Sequence, residues 1–320
     1  MIRIVDLFAG IGGIRKGFEQ AAAPGHINCV FTSEIDKYAV ETYIANFGNE
    51  NIHGDITLDE VNGIVPPHDI LLAGFPCQPF SQAGLKRGFT DPRGTLFFYI
   101  DRILNNVHPQ AFLLENVKQL RGHDRGRTLQ VILDHLGRAG YNTFVTTLKA
   151  RDFGLPQNRE RIFIVGFLDH NIDFHFPEPN GIPTRVGNIL QQNVAPRYTI
   201  SDRLWAGHQR RRMEHQERGN GFGFSLVDED SEYTNTLSAR YYKDGSEILI
   251  RQENMNPRKL TPRECARLQG FPDDFIIPVS DVQAYKQFGN SVSVNVIQAI
   301  AQNMIIHIRE EDQNQNIIAL

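Results

Sequence analysis

Short apolar runs alternate with amphipathic stretches along the first half of the chain. Apolar runs of strand length lie at residues 2–8, 29–35, 69–75, 111–115 and 161–167, and helical periods lie at about 13–23, 36–48, 95–107 and 128–136. Nearly continuous apolar strands separated by helices are typical of a parallel sheet that is covered on both faces. This half therefore predicts an α/β fold with a doubly wound, mostly parallel sheet of the Rossmann-like kind.

The pattern changes after about residue 176, where prolines, glycines and arginines become frequent and no alternation of helices and strands is evident before Leu260. Thr261-Pro262-Arg263-Glu264 then has the features of a helix start, with Thr261 as the N-cap and Glu264 closing a capping box. A final apolar-periodic helix is expected over residues 291–308. These features predict a second, smaller and less regular domain.

Composition narrows the class of protein. The chain has 320 residues, 22% of them charged, and a formal net charge of -4, which is typical of a globular protein and not of a basic nucleic-acid coat. Positive charge is concentrated locally, at Arg197, Arg203, Arg210, Arg211, Arg212 and Arg218. Three cysteines without a CxxC pair argue against a disulfide framework or a metal site and suit a reducing cytoplasm. The N-terminus runs directly into a strand, so neither a signal peptide nor a membrane span is expected.

The first candidate site is the glycine turn at residues 6–13, which follows a strand and opens a helix. Such a turn lets the backbone approach a ligand closely. Glu34 ends the next strand, where nucleotide sites place an acid on ribose hydroxyls, and Asp55 can accept from an adenine amino group. The turn lacks a full GxGxxG pattern, so a mononucleoside-like ligand such as S-adenosylmethionine fits better than a dinucleotide. A tight turn without a ligand is the alternative.

The second candidate is Cys77, which lies between Pro76 and Gln78-Pro79 directly after a strand. Lone cysteines are usually structural, but a stiff loop at the carboxyl end of a parallel strand is where such folds place their chemistry. The position favours a nucleophile, and because a free thiol is mostly protonated at neutral pH, a nearby activating group is expected.

Two further segments carry charge at strand ends. Glu115 ends a buried strand, where a carboxylate is costly unless it is paired or functional; a solvated strand end is the alternative. Arg159 and Arg161 point to the same side of an extended segment and can bind a phosphate or a base carbonyl. Considered alone, this segment is better interpreted as a solvated charge cluster.

Together these segments resemble the DNA cytosine-5 methyltransferase family, and the resemblance covers nearly the whole chain in the family's order. Residues 6–13 resemble its cofactor loop, residues 74–81 its Pro-Cys-Gln catalytic loop, residues 94–97, 115–117 and 157–161 three further motifs, residues 259–271 its hinge motif and residues 287–292 its last motif. Seven motifs in one order make chance an inadequate explanation.

The resemblance implies a role for each catalytic candidate. Cys77 would add to C6 of a flipped-out cytosine, and Glu115 would hydrogen-bond its N3 and 4-amino group. Arg161, with Arg159 nearby, would hold O2 and the neighbouring phosphate. C5 would then take the methyl group of S-adenosylmethionine, a base would remove the C5 proton, and Cys77 would be expelled.

On the cofactor side, the resemblance points to one set of residues: Phe8, Gly10, Gly12, Glu34, Ile35, Asp55, Ile56, Pro76, Leu96 and Asn290. Many relatives carry tryptophan where this chain has Ile35, so an apolar contact replaces an adenine stack at that position. The last helix would return to the first lobe. The expected boundaries are therefore 1–180 plus 286–320 for a discontinuous catalytic domain, and 181–285 for the target-recognition domain and hinge.

The recognition region resembles that of bacterial Dcm-type enzymes and of relatives that modify CCNGG or CCGG sites. Glycine-rich loops that carry Arg and Asn can read bases in the major groove. The implied DNA-binding residues are Arg218, Asn220, Thr236 and Arg240. The partner would be double-stranded DNA, methylated by a cytoplasmic bacterial monomer at the inner cytosine of a CC(N)GG-like site, with a cognate restriction endonuclease acting on the same site.

Three alternatives stay open at this point. A tRNA cytosine-5 methyltransferase would keep Cys77 and Glu115 and change only the substrate. A DNA-binding regulator would keep the fold without turnover. A nicotinamide-dependent oxidoreductase would explain the glycine turn but leaves the Pro-Cys-Gln loop and the hinge motif unexplained.

Overall fold

A computed structural model of the chain describes residues 1–76, 96–219, 221 and 223–318. The strands are β1 (Ile2–Leu7), β2 (Ile27–Ser33), β3 (Ile52–His53), β4 (Ile70–Gly74), β5 (Ala111–Val117), β6 (Asn142–Lys149), β7 (Glu160–Phe167), β8 (Leu226–Val227) and β9 (Leu249–Ile250). The helices are α1 (Gly13–Ala21), α2 (Lys37–Phe47), α3 (Asp59–Asn62), α4 (Leu96–Val107), α5 (Arg127–Arg138), α6 (Asp202–Glu217), α7 (Pro262–Leu268), α8 (Asp281–Asn290) and α9 (Val294–Ile318). Short 3-10 turns lie at Lys118–Arg121, His123–Gly126, Ala150–Phe153, Val186–Ile189 and Pro196–Tyr198.

Seven strands form the central sheet in the order β3-β2-β1-β4-β5-β7-β6. The first five in that order are parallel, and β7 runs antiparallel to both β5 and β6. The strand order reverses beside β1, where the chain crosses from one half of the sheet to the other. The predicted α/β fold with a mostly parallel sheet is therefore confirmed, and its ligand edge lies at the carboxyl ends of β1, β2, β4 and β5.

Apolar side chains alternate between the two faces of the sheet because both faces are covered by helices. Ile4 and Leu72 face a core completed by α1 and α9, whereas Val5 and Leu71 face a core completed by α4 and α5. The last helix thus returns to the first, as expected. A third core contains Leu237 and other buried residues between 186 and 294, and Ile11 and Ala39 from the first half of the chain pack into it. The domain boundaries themselves stay a prediction.

The capping box predicted at Thr261 is present. The Thr261 hydroxyl accepts the Glu264 N–H at 3.1 Å, and the Glu264 carboxylate accepts the Thr261 N–H at 2.8 Å. Glu264 is fully buried and also accepts two hydrogen bonds from Arg258, at 2.7 and 2.8 Å. A buried carboxylate of this kind requires such partners, so the start of α7 is tied to the preceding segment by charge as well as by the cap.

The unpredicted elements include β3, α3, β6, α6, β8, β9 and α8, of which β6 and α6 are the longest strand and the longest helix. Strand β6 has the β-branched alternation of Thr143, Val145 and Thr147, and this signal was overlooked. Helix α6 has few apolar residues and no apolar stripe along one face, and His208 is its one buried residue among those described, so hydrophobic periodicity gives no signal for it. Its Ser201 cap, which accepts the Leu204 N–H at 3.3 Å, is the local feature that could have revealed it.

The segment 281–308 has the length and apolar composition of a membrane span, but 56% of its most apolar 18-residue stretch is buried inside the protein. Its apolar residues contact α1 and the sheet: Val296, Ile297, Ile300 and Met304 belong to the core that also contains Phe18. These contacts are those of a core helix in a globular fold.

Candidate active site

The carboxyl ends of the parallel strands open on a cavity of about 390 Å³. This volume is within the range of roughly 300–1,000 Å³ that is usual for small-molecule sites. The predicted site residues that line it are Phe8, Gly10, Glu34, Pro76, Glu115, Arg159, Arg161 and Asn290. Cofactor and catalytic candidates that are far apart in sequence therefore share one cavity, because β1, β2, β4 and β5 end, and the antiparallel β7 begins, at the same edge of the sheet.

The cofactor loop is fixed by the Glu34 carboxylate. Gly10, which has a left-handed φ of 55°, donates its N–H to Glu34 Oε2 at 2.7 Å. The N–H groups of Ile35 and Asp36 donate to Glu34 Oε1 at 2.8 and 2.7 Å. A carboxylate has about four acceptor positions, so one is left for a ligand hydroxyl. The arrangement fits the ribose of a nucleoside.

The remaining predicted cofactor residues lie outside the cavity lining formed by the described chain. Gly12 is the N-cap of α1 and Leu96 begins α4. Asp55 accepts the Thr57 N–H at 2.9 Å, and Ile35 is 74% exposed. The Ile56 side chain is buried in the core, so any ligand contact at this position involves its backbone.

Glu115 and Arg161 form a buried ion pair at the edge of the sheet. Val117 pairs with Arg161 and Glu115 pairs with Phe163, so the side chains of Glu115 and Arg161 are diagonal neighbours on one face. Arg161 Nε lies 3.0 Å from Glu115 Oε1. Burial raises the pKa of Glu115, against the opposing effect of the arginines. Glu115 therefore keeps a proton to higher pH than an ordinary glutamate, and the alternative of a solvated strand end is wrong.

Arg159 is 2% exposed, so the interpretation of its segment as a solvated charge cluster is also wrong. Its guanidinium donates to the carbonyl oxygens of Leu237 at 3.0 Å, Gly289 at 3.2 Å, and Ser291. Burial and the nearby charge of Arg161 lower the pKa of Arg159 to about 9, which leaves it a cation at neutral pH.

The catalytic loop begins at the same edge. Cys77 lies outside the described residues, and Pro76 is the last residue before it that lines the cavity. Asn116 Nδ2 donates to the Phe75 carbonyl at 2.9 Å, and Asn116 Oδ1 accepts the Val117 N–H at 2.8 Å. The buried Asn116 thus fixes the backbone two residues before Cys77.

Comparison with known proteins decides the family. A sequence profile of the family described as C-5 cytosine-specific DNA methylase matches residues 2–306. The chain belongs to this family. The methylase is 67% identical to the Type II methyltransferase M.NlaX of Neisseria lactamica over 304 residues, which cover 95% of this chain and 96% of that protein. It is 61% identical to the Type II methyltransferase M1.ScrFI of Lactococcus lactis subsp. cremoris over 308 residues, 95% of this chain and 78% of that protein.

A solved structure supports the fold. The S. pombe Dnmt2 methyltransferase superposes with a TM-score of 0.77 at 22% identity, over 96% of this chain and 99% of that one. As a member of the C-5 cytosine-specific DNA methylase family, the protein is a DNA cytosine-5 methyltransferase that uses S-adenosylmethionine, as the motifs implied. The oxidoreductase alternative is wrong.

Of the predicted DNA-binding residues of the methylase, Arg218, Thr236 and Arg240 are described, and none of these three lines the cavity. The Thr236 hydroxyl donates to the Asn158 carbonyl at 2.7 Å. Arg240 is exposed, and its N–H donates to the Ser238 hydroxyl at 3.1 Å. Arg218 is the exposed C-cap of α6. Asn220 lies outside the described residues. The structure therefore joins Thr236 to the segment that carries Arg159 and Arg161, and it leaves Arg218 and Arg240 accessible.

Two lining residues on α8, Gln283 and Lys286, were missed by sequence reasoning. They line the cavity together with Gln287 and Asn290 of the last motif. Their spacing places them on one face of α8, and this periodicity could have revealed them once Asn290 was recognised. Lys286 Nζ also lies 5.1 Å from the centroid of the Tyr242 ring, so it touches the predicted recognition region.

Proposed function

We propose that this methylase modifies the inner cytosine of a CC(N)GG-like site in duplex DNA through a covalent adduct with Cys77. The observation that carries the proposal is the buried Glu115–Arg161 pair, which lines the same cavity as Glu34 and lies beside the strand that leads to Cys77. Gly74, three residues before Cys77, pairs with Glu115 in the sheet. A base inserted at this edge would meet the Glu115 carboxyl group beside the strand that leads to Cys77.

Glu115 activates the cytosine in this proposal. Because burial raises its pKa, the carboxyl group can donate a proton to N3 and accept a hydrogen bond from the 4-amino group. A proton on N3 withdraws electrons from the ring and makes C6 electrophilic enough for the Cys77 thiolate. The S–C6 bond then forms while the electron pair of the C5–C6 double bond moves towards C5.

Arg161 orients Glu115 and the target cytosine in this proposal. Its guanidinium holds Glu115 at 3.0 Å and donates to the Glu160 carbonyl at 2.9 Å, with further N–H donors left for the base O2. After methyl transfer, a water-assisted loss of the C5 proton restores the double bond and expels Cys77 as thiolate. A stacked base cannot reach this buried pair, so the target cytosine must leave the duplex.

The cofactor residues fit S-adenosylmethionine by their chemistry. The Glu34 carboxylate is positioned by the cofactor loop, and the left-handed Phe8 and Gly10 let the backbone approach the ligand. When bound, S-adenosylmethionine supplies the methyl group. Glu34 would hold ribose hydroxyls, Phe8 and Ile35 would provide apolar contacts, and Asn290 would close the site from the last motif.

For target recognition, we propose a domain of residues 181–285 that presents Thr236 to the flipped nucleotide and Arg240 and Arg218 to the duplex. The exposure of both arginines and the hydrogen bond of Thr236 to the catalytic segment support this arrangement. The likeness to Type II relatives supports a role beside a restriction endonuclease of the same site. The enzyme would act as a monomer in the bacterial cytoplasm, since one active site suffices for one flipped base.

Bisulfite sequencing of plasmid DNA incubated with the purified enzyme and S-adenosylmethionine tests the proposal. Protected cytosines at one recurring CC(N)GG-like position are expected, and Cys77→Ser should abolish protection while keeping cofactor binding. Protection at an unrelated sequence would refute the site and keep the enzyme class. Methylation by Cys77→Ser would refute the mechanism, and protection only in tRNA would refute the substrate.

A further inference from the structure

Residues 236–240, the recognition segment, contact the turn at residues 289–291 through backbone atoms. Gly289, the residue before Asn290, faces the peptide between Ser238 and Ala239. A Cβ at Gly289 would lie 2.3 Å from backbone atoms of both residues. Backbone atoms cannot move aside as a flexible side chain does, so only glycine allows this approach.

Arg159 ties the same two segments together by hydrogen bonds. It donates to Leu237 of the recognition segment and to Gly289 and Ser291 on either side of Asn290. Three of its N–H donors are thereby engaged by carbonyl groups, and its side chain is buried. Arg159 therefore links the recognition segment to the turn at Asn290 through hydrogen bonds to both.

Both backbone polar groups of Leu237 are hydrogen-bonded to buried side chains. Its carbonyl accepts from Arg159, and its N–H donates to Gln157 Oε1 at 2.9 Å. Gln157 is fully buried and donates in turn to the Leu268 carbonyl at 3.1 Å, in the hinge motif. These paired groups favour one geometry, because a shift of Leu237 would leave buried groups unpaired; among the described residues, Arg159 Nε already lacks a hydrogen-bond partner.

We propose that Arg159 and Gly289 are positioning residues that lock the recognition segment 236–240 to the turn at Asn290, and so couple recognition of the target site to S-adenosylmethionine binding. The inference rests on the proposed roles of this segment and of Asn290. It assigns Arg159 a role other than base contact. Because Gly289 and Asn290 are adjacent, a displacement of the recognition segment moves the cofactor contact as well. Such coupling is reciprocal between the two ligands.

Gly289→Ala and Arg159→Lys test the coupling. Binding of S-adenosylhomocysteine is measured by calorimetry with and without a cognate duplex, in the Cys77→Ser background to prevent adduct formation. The cognate duplex should tighten S-adenosylhomocysteine binding in the parent protein. Both variants should lose most of that tightening. Activity is measured in the protein that keeps Cys77, as the ratio of kcat/KM on the cognate duplex to kcat/KM on a duplex with one base changed. In both variants this ratio should fall roughly tenfold or more. Arg159→Met should be worse than Arg159→Lys, which keeps a cation at this position.

Gly137→Ala is the matched control, since a Cβ at this helical glycine of α5 meets no atom within 4 Å. It should leave coupling and discrimination unchanged. A purely structural role predicts lower unfolding temperatures with coupling and discrimination intact, and that outcome would overturn the proposal. If Gly289→Ala fails to fold, Arg159→Lys decides alone. Failure of the proposed function appears differently, as no site-specific methylation by the parent enzyme.

Discussion

Replacing Asp6 with asparagine should change how the stability of the protein depends on pH. Asp6 lies in β1 beneath the cofactor loop and is fully buried. Neither of its carboxylate oxygens has a hydrogen-bond partner among the described residues. Burial raises its pKa from the ordinary 3.8 to about 7, Arg15 opposes this, and the negative charges of Glu34 and Glu19 add to it. The ionised form is therefore the costly one.

The size and sign of the effect on folding stability follow from this displacement of the Asp6 pKa. Moving a carboxyl pKa from 3.8 to about 7 costs the ionised form on the order of 4 kcal/mol. The folded state binds more protons than the unfolded state between these two values, so stability falls as pH rises through this window. The contribution is fully present below about pH 4 and is lost above about pH 7. Asparagine cannot ionise and lacks this loss.

Urea unfolding, followed by circular dichroism at pH 5, 6, 7 and 8, measures the effect. Relative to the parent, Asp6→Asn should gain roughly 2.5–3 kcal/mol of stability between pH 5 and pH 8, most of it below about pH 7, where the gain levels off. The absolute gain at pH 8 should be smaller, because the buried amide also lacks partners. Asp274→Asn, at an exposed position, controls for the lost charge. Parallel pH profiles of Asp6→Asn and the parent would refute the reasoning.

Three further predictions concern single contacts. Glu34→Gln weakens the charge-assisted hydrogen bonds of the cofactor loop, so the calorimetric Kd for S-adenosylmethionine should rise roughly 10- to 100-fold; an unchanged Kd would contradict the assigned role. Asn116→Ala frees the Phe75 carbonyl before the catalytic loop and should lower kcat roughly tenfold with little change in cofactor Kd, whereas an equal effect on both would indicate general disorder. Glu264→Gln leaves Arg258 buried without its counter-ion and should cost about 3–5 kcal/mol in urea unfolding; the double replacement by Leu and Met should recover much of that loss, and no recovery would argue against the unpaired charge as the cause.

The sequence by itself determined the features that a few neighbouring residues encode. The strands that precede the glycine turn and Cys77 follow from apolar runs, and the start of α7 follows from the Thr261–Glu264 box. The ordered motifs determined the family and most of the cavity, because chemistry at the ends of parallel strands requires particular residues at particular positions along the chain. Glu115 could be singled out because an acid at the end of an apolar strand is costly without a function.

Only the tertiary structure decided what depends on partners far along the chain. The reversed direction of β7 places Arg161 diagonally beside Glu115, and no local pattern encodes strand direction. Arg159 has the sequence context of a solvated cation, but it is buried because carbonyl groups from Leu237 and Gly289 surround it. The physical reason is the range of the interactions: periodicity and caps act within one or two turns, whereas the partner of a buried polar group is chosen by the packing of the whole chain.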